Sequence, residues 1–128
     1  MSHLKTYIVE DSLVIRENLI ATLEELAPIK VIGVAEDESI AVEWLRQPGV
    51  AVDLVIIDIF LKTGSGLGVI QAGAELSDAP KLVVLTNYAT QDMRRKCFQL
   101  GADEVFDKSH DIDGLIQYCR LLSADAKG

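Results

Sequence analysis

Basic residues are scarce in this 128-residue chain: 12 Lys and Arg stand against 20 Asp and Glu, giving a net charge of −8 and a pI near 4.6. Phosphate backbones attract Lys/Arg-rich surfaces, so this balance argues against direct nucleic-acid binding. An acidic surface of this size serves solubility first. Cysteine is nearly lacking: Cys97 and Cys119 are the only two, and they form no close-spaced pair of the kind that clips a metal. Each falls at an apolar position of a helical pattern, so both read as buried, reduced thiols. Long apolar runs are missing too. None approaches the roughly 20 residues of a membrane span, and MSHLKTY at the N-terminus lacks the apolar stretch of a signal peptide. The expectation is a cytoplasmic protein without membrane contact. There is no internal repeat and no low-complexity segment.

What the chain does have is an alternation of short apolar runs with longer amphipathic stretches. At 128 residues and 49% hydrophobic it fits a single domain. Folding at this size buries roughly two-thirds of the chain's surface, so no staple is needed. Strands are expected at YIVE (7–10), KVIGVA (30–35), DLVIID (53–58), KLVVLT (81–86) and DEVFD (103–107). The third and fourth are continuous Val/Leu/Ile, as suits parallel strands covered on both faces. Between them run helical stripes: Leu19, Ile20, Leu23 and Leu26; Ile40, Ala41, Trp44 and Leu45; Leu67, Ile70 and Ala74; Met93, Cys97 and Leu100; and Ile112, Leu115, Ile116 and Cys119. Ser12, Ser39 and Thr90 are placed as helix caps and Gly101 as a C-terminal stop. Pro28, Pro48 and Pro80 fall at helix exits or just before strands.

This is a (βα)5 pattern. Right-handed crossovers build from it a doubly wound parallel α/β sheet of flavodoxin-like type, with expected strand order 2-1-3-4-5. The single domain has its core at about 4–123. Residues 124–128, the end of the small, polar SADAKG, are a tail or the start of a linker.

In such a sheet, function gathers outside the carboxyl ends of the strands, where the strand order reverses. The first strand ends in Glu10-Asp11, the third in Asp58, the fourth in Thr86 and the fifth in Asp107-Lys108. Carboxylates gathered on one rim repel one another unless a cation sits among them, and a hard ion such as Mg²⁺ suits oxygen ligands. A carboxylate so placed is a candidate nucleophile. The metal and Lys108 would neutralise charge on an incoming phosphoryl group while Thr86 donates a hydrogen bond. The reaction expected is phosphoryl transfer to a carboxylate, giving an acyl phosphate. Taken singly, each residue has a plainer reading. Asp58 would be a turn residue, Glu10-Asp11 a helix cap with dipole-favoured acid, Thr86 a strand end and Lys108 a solvated lysine. Their joint placement is what points to chemistry.

Over about residues 4–123 the sequence resembles the receiver domain of bacterial two-component response regulators. The resemblance lies in YIVEDSLVIRE (7–17), DLVIIDIFLKTGSGLGVI (53–70), KLVVLTNYA (81–89) and LGADEVFDKS (100–109). It implies that Asp58 is the phosphoacceptor, that Glu10 and Asp11 are the acidic pair for Mg²⁺, and that the backbone carbonyl of Phe60 completes the metal's protein ligands. Thr86 would be the switch hydroxyl and Lys108 the phosphate contact. Such domains take phosphate from a histidine kinase, a phosphotransfer protein or a small donor such as acetyl phosphate. They then present a changed face to a downstream protein or an attached output domain. Homodimers are one arrangement open to them. The domain is a signalling switch rather than an enzyme, catalysing only its own phosphorylation and dephosphorylation.

This chain departs from the family pattern in places. Lys62 stands where Pro is frequent, Ser65 where Asp is common, and Ser109 where Pro often follows the lysine. Val105 occupies the place of an aromatic that rotates during switching, with Phe106 one residue later. Phe60 and Tyr88 lie two residues beyond Asp58 and Thr86, where side chains flank the path of a hydrolytic water. Large groups at both places are expected to exclude that water and prolong the phosphoryl group's life.

Rival readings fit less well. GSGLG (64–68) has neither the G-x-G-x-x-G spacing after the first strand nor the G-K-[ST] of a P-loop. Phosphatases with an Asp nucleophile usually carry a second acid two residues on, where this chain has Phe60. A degenerate receiver that works without phosphorylation would not be expected to keep all five site residues. Arg94-Arg95-Lys96 reads as a solvated helix face before an acidic-partner surface.

Overall fold

The computed structural model describes residues 3–127. Five strands alternate with five helices: β1 (Leu4–Val9), α1 (Leu13–Leu26), β2 (Ile29–Ala35), α2 (Glu38–Leu45), β3 (Leu54–Ile57), α3 (Gly66–Ala74), β4 (Lys81–Thr86), α4 (Gln91–Leu100), β5 (Glu104–Asp107) and α5 (Ile112–Lys127). All four strand pairings are parallel, and the order is β2-β1-β3-β4-β5. The doubly wound α/β sheet expected from the apolar pattern is the one observed.

Side chains alternate across the strands with period two, and this splits the core into two layers. Tyr7, Val9, Val55, Ile57, Leu82, Val84 and Val105 face α2, α3 and α4. Leu4, Ile8, Leu54, Ile56, Val83 and Leu85 face α1 and α5. Helix side chains close each layer: Ala41, Leu45, Val69, Ile70 and Cys97 on one side, Leu19, Leu23, Leu115 and Cys119 on the other. Both cysteines are free and buried, as read from their positions.

Several boundaries differ from the sequence reading, each for a local reason. β1 begins at Leu4 rather than residue 7. Lys5 and Thr6 hide it from an apolar pattern, but the Lys5 N–H donates to Asp53 Oδ2 at 2.8 Å and the Leu4 N–H to the Pro28 carbonyl at 2.8 Å. Ser12 and Thr90 do cap α1 and α4, and Gly101 ends α4 in the left-handed region at φ 116°. The cap of α2 is Asp37, not Ser39, which lies inside the helix. The Asp37 carboxylate accepts the Ile40 N–H at 2.8 Å. A short carboxylate reaches that amide as well as a hydroxyl does. Ser65, not singled out as a cap, accepts from Leu67 at the start of α3. α5 runs on to Lys127, with Ser123 buried, where the sequence suggested a polar tail.

Candidate functional site

The carboxyl ends of β1, β3, β4 and β5 lie side by side because the registers align them. Val9 pairs with Ile57, Ile57 with Val84, and Thr86 with Asp107. The next residues therefore emerge on one rim. The Glu10 N–H still donates to the Ala35 carbonyl and the Asp58 N–H to the Val9 carbonyl, both at 2.9 Å, so each acid is held by the ladder it terminates. Glu10, Asp11 and Asp58 each offer a carboxylate oxygen within 4.8 Å of the others. Such a set of hard oxygen donors suits a hard divalent cation.

Lys108 spans this cluster. Its Nζ lies 2.6 Å from Glu10 Oε1 and 3.1 Å from Asp58 Oδ2, and its backbone N–H donates to the Thr86 carbonyl at 2.8 Å. Glu10 is 3% exposed. Burial pushes its carboxyl above the usual range, and the hydrogen bonds from Lys108 and the Ser12 N–H pull against that. Burial alone would lower Lys108, but Glu10 and Asp58 together leave it above its ordinary value. The ammonium is therefore fixed in its charged form between two acids.

The supporting contacts were not visible in the sequence. From α1, Arg16 Nη1 donates to the Glu10 carbonyl at 2.9 Å and braces the turn that carries Glu10-Asp11. From α4, Arg94 donates to the Ala89 carbonyl at 3.1 Å and the Val105 carbonyl at 2.8 Å, and faces Asp111 at 3.8 Å. Arg94 is thus a partly exposed brace between elements, while Arg95 and Lys96 are exposed. After β5, Ser109 donates its N–H to Asp107 Oδ1 and its hydroxyl to Asn87 Oδ1, tying two rim loops together. The Ser109 N–H chiefly, with His110, holds the Asp107 carboxyl below its ordinary value. The Lys108–Ser109 peptide bond is trans.

Thr86 is fully buried at the end of β4, with its hydroxyl accepting the Tyr88 N–H at 3.2 Å. Val105 is buried in the layer beneath α4. Phe106 packs on the other layer, its ring 6.0 Å from that of Tyr118. Consecutive strand residues face opposite ways, so Phe106 does not fill the place Val105 leaves without an aromatic.

The loop after Asp58 is a tight hairpin. Phe60 and Ser65 form an isolated antiparallel bridge, and the Gly66 N–H donates to the Ile59 carbonyl at 2.9 Å. A side chain at Gly66 would overlap the Asp58 carbonyl, so α3 can begin this close to Asp58 only with glycine there.

A response regulator receiver domain model matches residues 6–120. The chain belongs to that family. Among curated relatives, this receiver domain is 30% identical over 128 residues to the transcriptional regulatory protein YdfI of Bacillus subtilis, covering 94% of this chain and 59% of that one. It is 27% identical over 114 residues to a protein-glutamate methylesterase/protein-glutamine glutaminase of Methanospirillum hungatei, covering 88% of this chain and 33% of the other. The receiver domain thus spans between a third and three-fifths of these relatives' lengths. Its fold matches a LuxR-family two-component response regulator from Aurantimonas at TM-score 0.84 and 22% identity, covering 96% of this chain and 87% of that one. It also matches a Burkholderia pseudomallei response regulator solved with a phosphorylated aspartic acid, calcium ion and citrate, at TM-score 0.76 and 20% identity, covering 96% and 71%. Receiver domains are signalling domains of two-component systems. Among the described residues, no helix is long and apolar enough to cross a membrane.

Proposed function

We propose that this receiver domain is a cytoplasmic phosphoacceptor switch in which Asp58 takes a phosphoryl group from a histidine kinase, a phosphotransfer protein or a small donor. The observation that carries the reading is Lys108 Nζ bridging Glu10 and Asp58 inside a cluster of three carboxylates. An Asp58 oxygen attacks the donor's phosphorus, the donor's bond to phosphorus breaks, and its imidazole or carboxylate leaves. Asp58 then carries an acyl phosphate. Glu10, Asp11, Asp58 and the Phe60 carbonyl would hold Mg²⁺, which supplies charge neutralisation at the phosphoryl oxygens. Lys108 exchanges part of its contact with Asp58 for a phosphoryl oxygen. The Thr86 hydroxyl, now bonded to the Tyr88 N–H, turns to donate to another, and the β4–α4 segment moves with it. The phosphorylated aspartic acid and calcium ion named for the Burkholderia pseudomallei regulator lend support by analogy of fold. The partner that reads the change is a downstream protein, an output domain or a second copy.

The test is incubation with Mg²⁺ and acetyl phosphate or BeF₃⁻, read by intact mass or NMR, beside Asp58→Asn. The parent gains one phosphoryl group from acetyl phosphate, and gains none when Mg²⁺ is chelated before addition. A modified Asp58→Asn protein, or an unmodified parent, would overturn the reading.

A further inference from the structure

Beside the rim, the first residue of α2 reaches across to the loop that follows Asp58. Glu38 Oε1 accepts the Ser65 N–H at 2.8 Å, and the Glu38 N–H donates to the Thr63 carbonyl at 3.3 Å. These two bonds join segments distant in sequence, 27 residues apart for the Glu38–Ser65 pair. They grip the loop near its tip, while the Phe60–Ser65 bridge and the Gly66-to-Ile59 bond close its base. The Glu38 side chain lies in a slot walled by two glycines. A Cβ on Gly64 would stand 2.5 Å from Glu38 Cβ, and one on Gly68 would overlap Glu38 Oε2. Gly64 is also at φ +77°, where side chains are strained. Bulk at either glycine and a seated Glu38 are therefore mutually exclusive. An acid at the first turn of a helix is ordinarily satisfied by the dipole alone, and Asp37 already caps α2. Glu38 is thus free to serve another element.

We propose that Glu38 is a positioning residue: from α2 it clamps the 59–65 loop and so sets where that loop sits beside Asp58. The inference rests on the reading above, in which this loop supplies the Phe60 carbonyl to a metal. Glu38 touches no reacting atom. It acts through the Ser65 amide, much as hydrogen bonds one step removed from a ligand orient the ligand itself. Gly64 and Gly68 belong to the same device, because each leaves the volume that the carboxylate fills.

The test uses the whole chain with Glu38→Ala, Glu38→Gln and Gly68→Ala. The last keeps the acid but takes its seat. In metal-free protein, amide exchange at Ser65 is read by NMR, with a urea midpoint to certify the fold. Mg²⁺ alone is then titrated. Glu38→Ala and Gly68→Ala are expected to speed Ser65 exchange and to weaken Mg²⁺ binding by about tenfold, the scale for loss of an orienting partner. Glu38→Gln keeps a carbonyl acceptor and is expected to recover most of both. Unchanged Ser65 exchange in Glu38→Ala overturns the proposal. So does a Gln variant as weak as Ala, which would make the effect one of charge and not of position. If the parent itself takes up no Mg²⁺, the metal reading fails on its own, and Ser65 exchange still decides whether Glu38 clamps the loop.

Discussion

The rings of Phe60 and Tyr88 meet edge to face, with centroids 4.8 Å apart and planes at 66°. Both are more than half exposed, at 52% and 60%, so burial does not explain their contact. They stand on the loops that follow Asp58 and Thr86, where the sequence predicts side chains that flank the path of a hydrolytic water. An aromatic pair of this geometry contributes about 0.5–1.5 kcal/mol beyond its area. If water reaches the acyl phosphate only when the pair parts, removing it speeds hydrolysis by about two- to tenfold. A Phe60→Asn, Tyr88→Glu variant should lose its phosphoryl group faster than the parent by that factor, followed by mass spectrometry after the donor is removed. Loss at the parent's rate would mean the rings do not guard the site.

Three carboxylates held within 4.8 Å make the metal-free rim self-repelling, and Lys108 offsets that repulsion in part. Mg²⁺ should therefore stabilise the fold. At a concentration 100 times its dissociation constant, linkage gives about 2.7 kcal/mol. Asp11→Asn replaces one carboxylate by a neutral, weaker amide oxygen without touching the Lys108 bridge, so much of that gain should vanish while the metal-free stability holds or rises. Urea unfolding with and without Mg²⁺ measures both. An equal Mg²⁺ effect in the variant would exclude Asp11 from the cluster's work.

Glu10, Asp58, Thr86 and Lys108 were legible because each directly ends or follows an apolar run, and parallel topology brings such ends together. Asp11 followed from its neighbour. What stayed hidden depends on contacts between distant segments. Lys5 and Thr6 look polar, yet they pair with Lys30 and Val31 of β2, and the Lys5 N–H donates to the Asp53 carboxylate. Arg16, Glu38 and Arg94 are ordinary helix-surface types until the fold sets a carbonyl or an amide in front of them. Asp37 and Ser39 both make good caps, and only the observed start of α2 chooses between them. Phe106 was left open as a stand-in for an aromatic at 105. Strand alternation decides against it once the helix over each layer is known.

Arg94 joins three parts that a switch of the β4–α4 segment would have to move: Ala89 at its own base, Val105 in β5 and Asp111 before α5. Hydrogen bonds from a charged group contribute about 1.5–3 kcal/mol each, less where solvent reaches them as it does here. Arg94→Ala is expected to lower the unfolding free energy by about 1–2 kcal/mol. Arg94→Lys should recover little, since an ammonium lacks the planar fork that serves two carbonyls. Urea midpoints decide this, and full rescue by lysine would reduce the interaction to simple charge.

Alkaline pH offers a test that leaves the rim aside. Burial pushes the Cys119 thiol from its usual 9.0 up to about 12, and burial followed by the charge of Asp37 pushes Tyr7 from 10.0 to about 12. Both groups are neutral when protonated, so the folded protein holds these protons more tightly than the unfolded chain does. A folded-state value above the unfolded one contributes stability that is complete below the unfolded pKa and declines as pH rises toward the folded one. The urea midpoint should therefore be flat near neutrality and fall above about pH 8.5, where an unfolded cysteine begins to ionise. Cys119→Ala loses packing and starts lower, but its decline between about pH 8.5 and 10 should be shallower because one of the two buried thiols is gone, leaving Cys97, which burial also pushes up. Tyr7, which ionises later when unfolded, keeps the slope above that range. An identical slope in parent and variant would place the source of alkaline unfolding somewhere other than the buried thiol.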